Sequence, residues 1–135
     1  MTMRQTISSG SPMEEIAAYS RAVIDGGFVF VSGTVGVDPE TRELPDDFTA
    51  QARNAFLIIE RALDQAGASL DQTTHVRLFV SDRANLPAIV PVLQEKFGKS
   101  RPAQTMIIAA LPDPKALLEV EVTVRLNAYE IEKPI

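Results

Sequence analysis

The sequence contains no cysteine and only one histidine, His75. The absence of cysteine excludes disulfides, zinc sites built on thiolates and a cysteine nucleophile, and it suits a reducing compartment. A single histidine excludes metal sites that need several imidazole ligands. The motifs of P-loop NTPases, dinucleotide-binding domains, HExxH zinc proteases and α/β-hydrolases are also absent. We therefore expect no metal and no other cofactor.

Long apolar runs and an excess of positive charge are also missing. No stretch of about 18 consecutive apolar residues occurs, so we expect no transmembrane helix. Residues 1–13 are polar and contain no apolar run like that of a signal peptide. The chain has 18 acidic and 13 basic residues and a net charge of −5, whereas nucleic acid binding needs a concentrated basic surface. We expect a soluble, cytoplasmic protein that binds neither membranes nor nucleic acid.

The composition that remains is that of an ordinary globular domain. Hydrophobic residues make up 45% of the 135 positions and charged residues 23%, both close to the average for folded proteins. A domain of this length buries about two thirds of its unfolded surface and needs no covalent staple. We expect one domain over residues 1–135.

The hydrophobic pattern predicts six strands and two helices in the order β-β-β-α-β-α-β-β. The strands are expected at residues 4–8, 21–24, 28–31, 74–80, 104–110 and 117–128, and the helices at residues 48–66 and 85–97. β-branched and aromatic residues flank Gly26-Gly27, which indicates a hairpin. Pro91 is expected to kink the second helix or to move its start later. The pattern favours an α+β fold with two helices on one face of a mixed sheet.

Residues 118–125 alternate strictly between apolar and polar or charged side chains. The helices can cover only one face of the sheet. Apolar residues such as Phe79 on the other face therefore favour contact with a second subunit, and closed rotational symmetry is the usual result. We place His75 on that face as a strand residue at a surface or subunit contact.

Glu119 and Glu121 lie two positions apart on the last strand, so their side chains share one face. At a partly buried subunit boundary, one of them could have a raised pKa and transfer protons at neutral pH. The alternative is a pair of glutamates that is solvated or held in salt bridges. Alternation alone does not choose between the two residues.

Seven segments occur in an order that resembles a known family. They are residues 19–23 (YSRAV), 28–33 (FVFVSG), 38–41 (DPET), 50–54 (AQARN), 66–70 (AGASL), 101–105 (RPAQT) and 118–121 (LEVE). Together they make the chain similar to the RidA/YjgF family over residues 19–126. The resemblance implies a chorismate-mutase-like fold and a homotrimer with ligand clefts between adjacent subunits.

The resemblance also implies a function. Well-understood members of the family hydrolyse reactive enamines and imines, such as 2-aminoacrylate, to a keto acid and ammonia. In them an arginine holds the substrate carboxylate and a glutamate positions or activates water. By position, the resemblance assigns the catalytic role to Glu119 and substrate binding to Tyr19, Ser32 and Gly33.

Two positions depart from the family pattern. Gln104 stands where the family has its carboxylate-binding arginine, and Val90 where it has an asparagine. A charge-assisted bidentate contact contributes about 2–3 kcal/mol, so the loss of the arginine costs on the order of a hundredfold in affinity. We expect Gln104 and Thr105 to bind the substrate with an altered preference. The run from Gln104 to Leu111 is one residue shorter than in the family, which leaves the register of this strand open.

Three arginines lie on matched segments and were weighed as substitutes for the missing anchor: Arg21, Arg77 and Arg101. For each of them we expect a structural or surface salt bridge.

Two functions therefore remain open. One is an enamine or imine hydrolase that uses Glu119, and the other is a non-catalytic trimer that holds a small metabolite in its clefts. Ribonuclease activity is disfavoured by the acidic balance and the single histidine.

Overall fold

The computed structural model describes residues 4–126. Within them the elements are β1 Gln5–Ile7, α1 Pro12–Ile16, β2 Ala22–Asp25, β3 Phe28–Val35, α2 Phe48–Gln65, β4 Thr73–Val80, α3 Leu86–Phe97, β5 Ala103–Ile108 and β6 Leu118–Arg125. Single turns of 3-10 helix, Leu70–Gln72 and Arg83–Asn85, precede β4 and α3. Across this part of the chain, no helix has the length and apolar character needed to cross a bilayer.

The six strands of the described chain form one mixed sheet in the order β1-β2-β3-β6-β4-β5. Only the β4–β5 pair is parallel, and α3 provides the crossover between these two strands. Strand β6 lies in the interior of the sheet, between β3 and β4. Gly26 and Gly27 join β2 to β3 with φ values of 60° and 85°. Two positive φ angles characterise the tight turn that matches the twist of a hairpin.

Helices α2 and α3 pack on one face of the sheet and enclose the core with it. The strand positions that face the helices are buried and β-branched or aliphatic; they include Val29, Val31, Val76, Leu78, Val80, Leu118, Val120, Val122 and Val124. From α2, Phe56, Ile59 and Leu63 are fully buried against them. The rings of Phe56 and Phe97 meet edge to face with their centroids 5.6 Å apart, which joins the two helices.

This arrangement confirms the predicted α+β architecture of a mixed sheet with two helices on one face. The sequence missed α1, where only a loop was expected near residues 10–12. Five residues are too few to show a helical period. The predicted last strand ran to residue 128, and its end beyond residue 126 lies outside the described residues.

Of the two outcomes expected at Pro91, a kink or a later start of the helix, the later start does not occur. Helix α3 begins at Leu86, with Pro87 in its first turn, and passes through Pro91 without a later start. Proline at position 91 cannot donate to the carbonyl of Pro87. Both prolines are exposed, so water can reach the carbonyl that loses its helical partner.

No described element covers the second face of the sheet. Phe30 and Ile107 are 47% and 44% exposed on it. His75 lies there as expected, with its Nε2 3.3 Å from Oγ1 of Thr105. We call this surface, defined by Phe30, His75, Phe79, Thr105 and Ile107, the uncovered face.

Gln51 on α2 is fully buried, and its amide connects the loop before α2 to the loop between β5 and β6. Its Nε2 donates to the carbonyls of Pro45 and Lys115 at 2.7 and 3.0 Å, and its Oε1 accepts from the N–H of Leu117 at 2.8 Å. Gly36 packs directly on this residue, since a β-carbon at position 36 would lie 1.8 Å from the Gln51 carbonyl oxygen. Gln51 therefore fixes the connections on either side of the sheet end where β3 finishes and β6 begins.

Gln51→Met should lower the free energy of unfolding by about 3–5 kcal/mol. The substitution leaves three buried backbone groups without hydrogen-bond partners, and each such group costs about 1–3 kcal/mol. Chemical denaturation would measure the loss. The matched control is Gln94→Met on the exposed side of α3, which should change stability by no more than about 0.5 kcal/mol. A loss below about 1 kcal/mol for Gln51→Met would show that the two loops do not depend on this amide.

Candidate functional site

A cavity of about 770 Å³ opens beside the end of β3 and the start of β6. Its walls come from the segment of residues 8–13, from β3 and β6, from one side of α2 and from the turn at Pro112 and Asp113. Tyr19, Arg21, Gly33 and Glu119 all line it. The volume falls within the range typical of small-molecule sites, about 300–1,000 Å³.

A β-bulge shapes the wall of this cavity. The register between β3 and β6 passes from Val31 opposite Val122 to Thr34 opposite Val120, so Ser32 and Gly33 share one position on the partner strand. Bulges bend a strand and redirect its side chains, and they often occur beside functional sites. Here the bulge falls on the Ser-Gly pair that the family resemblance singled out.

Ser32 connects the bulge to the segment before β2. Its hydroxyl donates to the carbonyl of Ser20 at 2.6 Å, and its backbone N–H donates to the carbonyl of Arg21 at 2.9 Å. Ser32 itself does not line the cavity. These two hydrogen bonds keep residues 19–21 next to β3, and this segment includes Tyr19 and Arg21.

Gly33 makes room for the carboxyl group of Glu119. A β-carbon at position 33 would lie 2.8 Å from Cδ of Glu119 and 2.9 Å from one of its oxygens. Any larger residue would force this carboxyl group to move. Glycine at this position thus allows the carboxyl of Glu119 to lie flat against the backbone of β3.

The environment of Glu119 raises its pKa. Partial burial is the main cause, since it disfavours the charged carboxylate, and the nearby Glu121 carboxylate adds to the effect. The positive charge of Arg21 opposes both and lowers the pKa in part. Glu119 has no salt bridge within the described chain. It is therefore a carboxyl group that can hold or release a proton closer to neutral pH than an exposed glutamate.

Glu121 has a different environment, although it shares a strand face with Glu119. Its Oε1 accepts from Nη1 of Arg77 at 2.9 Å across the β4–β6 pair. The ion pair is partly exposed, and Glu121 does not line the large cavity. The structure thus separates one glutamate in a cavity from one in a salt bridge. The salt bridge expected for Arg77 is confirmed.

Tyr19 and Arg21 also line the cavity. Tyr19 follows α1, where its N–H donates to the carbonyl of Glu14 at 2.9 Å. The guanidinium carbon of Arg21 lies 5.5 Å from the centroid of the Tyr19 ring, and its Nη2 donates to the carbonyl of Gly33 at 3.1 Å. The salt bridge expected for Arg21 is absent among residues 4–126. Its two-residue spacing from Tyr19 was the only signal in the sequence that the two side chains lie together.

Three other predicted positions lie outside this cavity. Strand β5 places Gln104 opposite Val76, a residue that faces the helices, so Gln104 is exposed at the sheet edge on the face opposite to Glu119. Thr105 lies on the uncovered face beside His75, and Val90 is 49% exposed on α3. One chain therefore brings together Tyr19, Gly33 and Glu119, with Ser32 behind them, but not Gln104, Thr105 or Val90.

The described residues contain no cluster of three or more His, Asp or Glu side chains that could hold a metal ion. The chemistry available in the cavity is that of a carboxyl group with a raised pKa, an aromatic hydroxyl and a buried guanidinium. This set can transfer protons and bind an anion.

Glu119→Gln should raise the melting temperature at pH 7 and have a smaller effect near pH 4. The native pKa of Glu119 lies above the ordinary value of 4.5, so its carboxyl favours the folded state below that value and loses this stabilisation as the pH rises through the native pKa. Glutamine does not ionise, so the variant does not lose this stabilisation as the pH rises. Thermal melts across this pH range would measure the difference.

Glu121→Gln is the control, because it breaks a partly exposed ion pair and should lower stability slightly, by less than about 1 kcal/mol. An equal shift for Glu119→Gln at pH 4 and pH 7 would contradict the described environment of Glu119.

The chain is similar in sequence to several known proteins. Residues 10–126 match the sequence model of the family described as endoribonuclease L-PSP. A RutC family protein of Pyrococcus abyssi is 30% identical over 119 residues, which cover 87% of this chain and 94% of the relative. The RutC family protein UK114 of Drosophila melanogaster is 31% identical over 120 residues, which cover 88% of this chain and 87% of the relative.

A solved structure agrees with these sequence matches. The crystal structure of Rv2704 from Mycobacterium tuberculosis, a member of the YjgF/YER057c/UK114 family, is 39% identical and superposes with a TM-score of 0.82. The superposition covers 91% of this chain and 99% of that one. Because sequence and fold agree over nearly the whole length, this chain belongs to the RidA/YjgF family.

Proposed function

We propose that this protein hydrolyses small enamines or imines to a carbonyl compound and ammonia. The observation that carries the proposal is Glu119, a half-buried carboxyl with a raised pKa that lines a cavity together with Tyr19 and Gly33. Membership in a family whose best-understood members hydrolyse such compounds supports it. A general acid and base works best when its pKa lies near the working pH.

The reaction needs one group that can both accept and donate a proton. An enamine first becomes an imine as a proton moves from nitrogen to carbon. Water then adds to the carbon of the C=N bond and gives a proton to Glu119, which returns it to the nitrogen. The C–N bond of the resulting amino alcohol breaks, its hydroxyl proton passes to the departing nitrogen, and a carbonyl compound and ammonia are released.

We also infer that the protein forms a homotrimer with ligand clefts between its subunits. Phe30 and Ile107 on the uncovered face are exposed in the single chain, and contact with another subunit would remove them from water. Gln104 and Thr105, on edge strand β5, can then join a cavity only if a neighbouring subunit supplies them. Gln104 in place of arginine alters the substrate preference in this arrangement.

The family description also includes endoribonuclease activity, which we do not propose for this chain. Its net charge is −5 and it has a single histidine, which the structure places on the uncovered face. RNA binding depends on positively charged surfaces that contact phosphates. The acidic balance of the chain does not favour such a surface.

Glu119→Gln should lower the rate of imine hydrolysis by about 100-fold or more, the usual contribution of a general acid or base. Imines can be generated in situ by an amino-acid oxidase acting on alanine, leucine or phenylalanine, and the protein-dependent release of ammonia or keto acid followed by a coupled assay. Glu121→Gln should retain most of the activity, since its partner Arg77 lies outside the cavity.

Two results would favour the non-catalytic alternative. One is a wild-type protein that accelerates none of these imines while still binding their products. The other is a Glu119→Gln variant as active as the wild type, which would remove Glu119 from the chemistry.

The trimer should sediment at three times the 14.7 kDa of one chain at micromolar concentration. Phe30→Lys should shift it toward the monomer, because a charge on the uncovered face cannot be buried in a subunit contact without a large desolvation penalty. Leu57→Lys is the matched control, since Leu57 is 39% exposed on the helix side. A wild-type monomer would rule out the trimer and its shared clefts.

A further inference from the structure

Arg21 is a buried cation that forms no ion pair within the described chain. It is only 7% exposed, and none of the salt bridges among residues 4–126 includes it. One of its terminal nitrogens donates to the carbonyl of Gly33. Its Nε is buried and has no hydrogen-bond partner. A guanidinium carries five N–H donors, so most of its hydrogen-bonding capacity is unused.

Such an arrangement is unfavourable unless something compensates it. Burying an unpaired charge is costly, and an unsatisfied buried donor adds to the cost. The ring of Tyr19, 5.5 Å from the guanidinium carbon, offsets only a part of this cost, since a cation–π contact is weaker than an ion pair with hydrogen bonds. The carboxyl groups of Glu14 and Glu119 feel the charge of Arg21, but neither forms an ion pair with it.

The cavity that Arg21 lines has a positive balance of charge. Its charged lining residues are three arginines (Arg21, Arg42 and Arg61) and two acids (Asp113 and Glu119), although the whole chain has a net charge of −5. Arg42 is partly engaged, because its Nη2 donates to the carbonyl of Gly10 at 3.0 Å. A small anion entering the cavity would find its most desolvated cation in Arg21.

We propose that Arg21 binds the carboxylate of the ligand and thereby takes the place of the anchor that Gln104 lacks. The ligand class is a small acid whose carboxylate lies next to a carbonyl or imine carbon, a 2-oxo or 2-imino acid. The Nε of Arg21 is buried, so the terminal nitrogens of its guanidinium make the contact with the carboxylate. The carbon next to the carboxylate then lies between Arg21 and Glu119, which line the same cavity. The imine part of this assignment rests on the proposed function, whereas the binding of the carboxylate does not.

The test measures binding of pyruvate and of its neutral analogue pyruvamide to the full chain by titration calorimetry or ligand-observed NMR. The wild type should bind pyruvate more tightly than pyruvamide. Arg21→Met should weaken pyruvate binding by about 10- to 100-fold, as expected for the loss of a charge-assisted contact, and should leave pyruvamide binding unchanged. Arg53→Met is the control, since Arg53 is half exposed on α2 and paired with Glu95.

Thermal melts separate a binding role from a structural one. Without ligand, Arg21→Met should melt at the wild-type temperature or above it, because the variant removes a buried unpaired charge. The increase in melting temperature that pyruvate produces in the wild type should disappear. If Arg21→Met does not fold, Arg21→Lys replaces it. Lysine keeps the charge without the planar fork, so pyruvate binding should weaken while its advantage over pyruvamide persists.

Pyruvate affinity within twofold of the wild type in the folded Arg21 variant would overturn the proposal. So would a wild type that does not prefer pyruvate to pyruvamide. Glu119→Gln keeps this result distinct from that of the proposed function, because it should lose hydrolysis and retain binding that depends on Arg21. Binding that depends on Arg21 without any hydrolysis would refute only the hydrolase, and hydrolysis that is indifferent to Arg21 would refute only the anchor.

Discussion

The contact between Gly33 and the carboxyl group of Glu119 joins β3 to β6 at the point where the cavity opens. A side chain at position 33 would occupy the space of that carboxyl group, and the bulge at Ser32 and Gly33 sets the two strands at the required offset. Ser32 holds the preceding segment through Ser20, and this segment carries Arg21 to the carbonyl of Gly33. The β-bulge at Ser32 and Gly33 thus positions Glu119, Arg21 and Tyr19.

The candidate site was only partly predictable from the sequence. Alternation along β6 placed Glu119 and Glu121 on one face, but their difference comes from residues distant in the chain, Arg77 for one and Gly33 for the other. The face of Gln104 depends on its register with β4, which a single sequence does not reveal. Arg21 was weighed as a salt-bridge residue, because nothing local indicates that the fold buries a charge without a partner. The assignment of roles to these residues stays a prediction.

The fold was more accessible, because its main elements carry long periodic patterns. Helix α2 repeats its apolar stripe over 18 residues. Strand β4 alternates from His75 to Val80 and β6 over its 8 residues, so local pattern and tertiary burial agree. Helix α1 is too short for a periodic signal, and its end is used to aim Tyr19 rather than to fill the core. Pro91 is tolerated within α3 because its side of the helix meets solvent, a property that belongs to the packed structure.

The position of β6 has a consequence for how the chain acquires its structure. This strand follows the other five in the chain but lies between β3 and β4 in the sheet. Until it is synthesised, β3 and the β4–β5 pair have no hydrogen-bonded strand between them. Such non-local pairing must close long loops before its contacts form, which slows folding and exposes strand edges meanwhile. Glu119 therefore lies on the strand that joins the two parts of the sheet, and the site forms only when the sheet is complete.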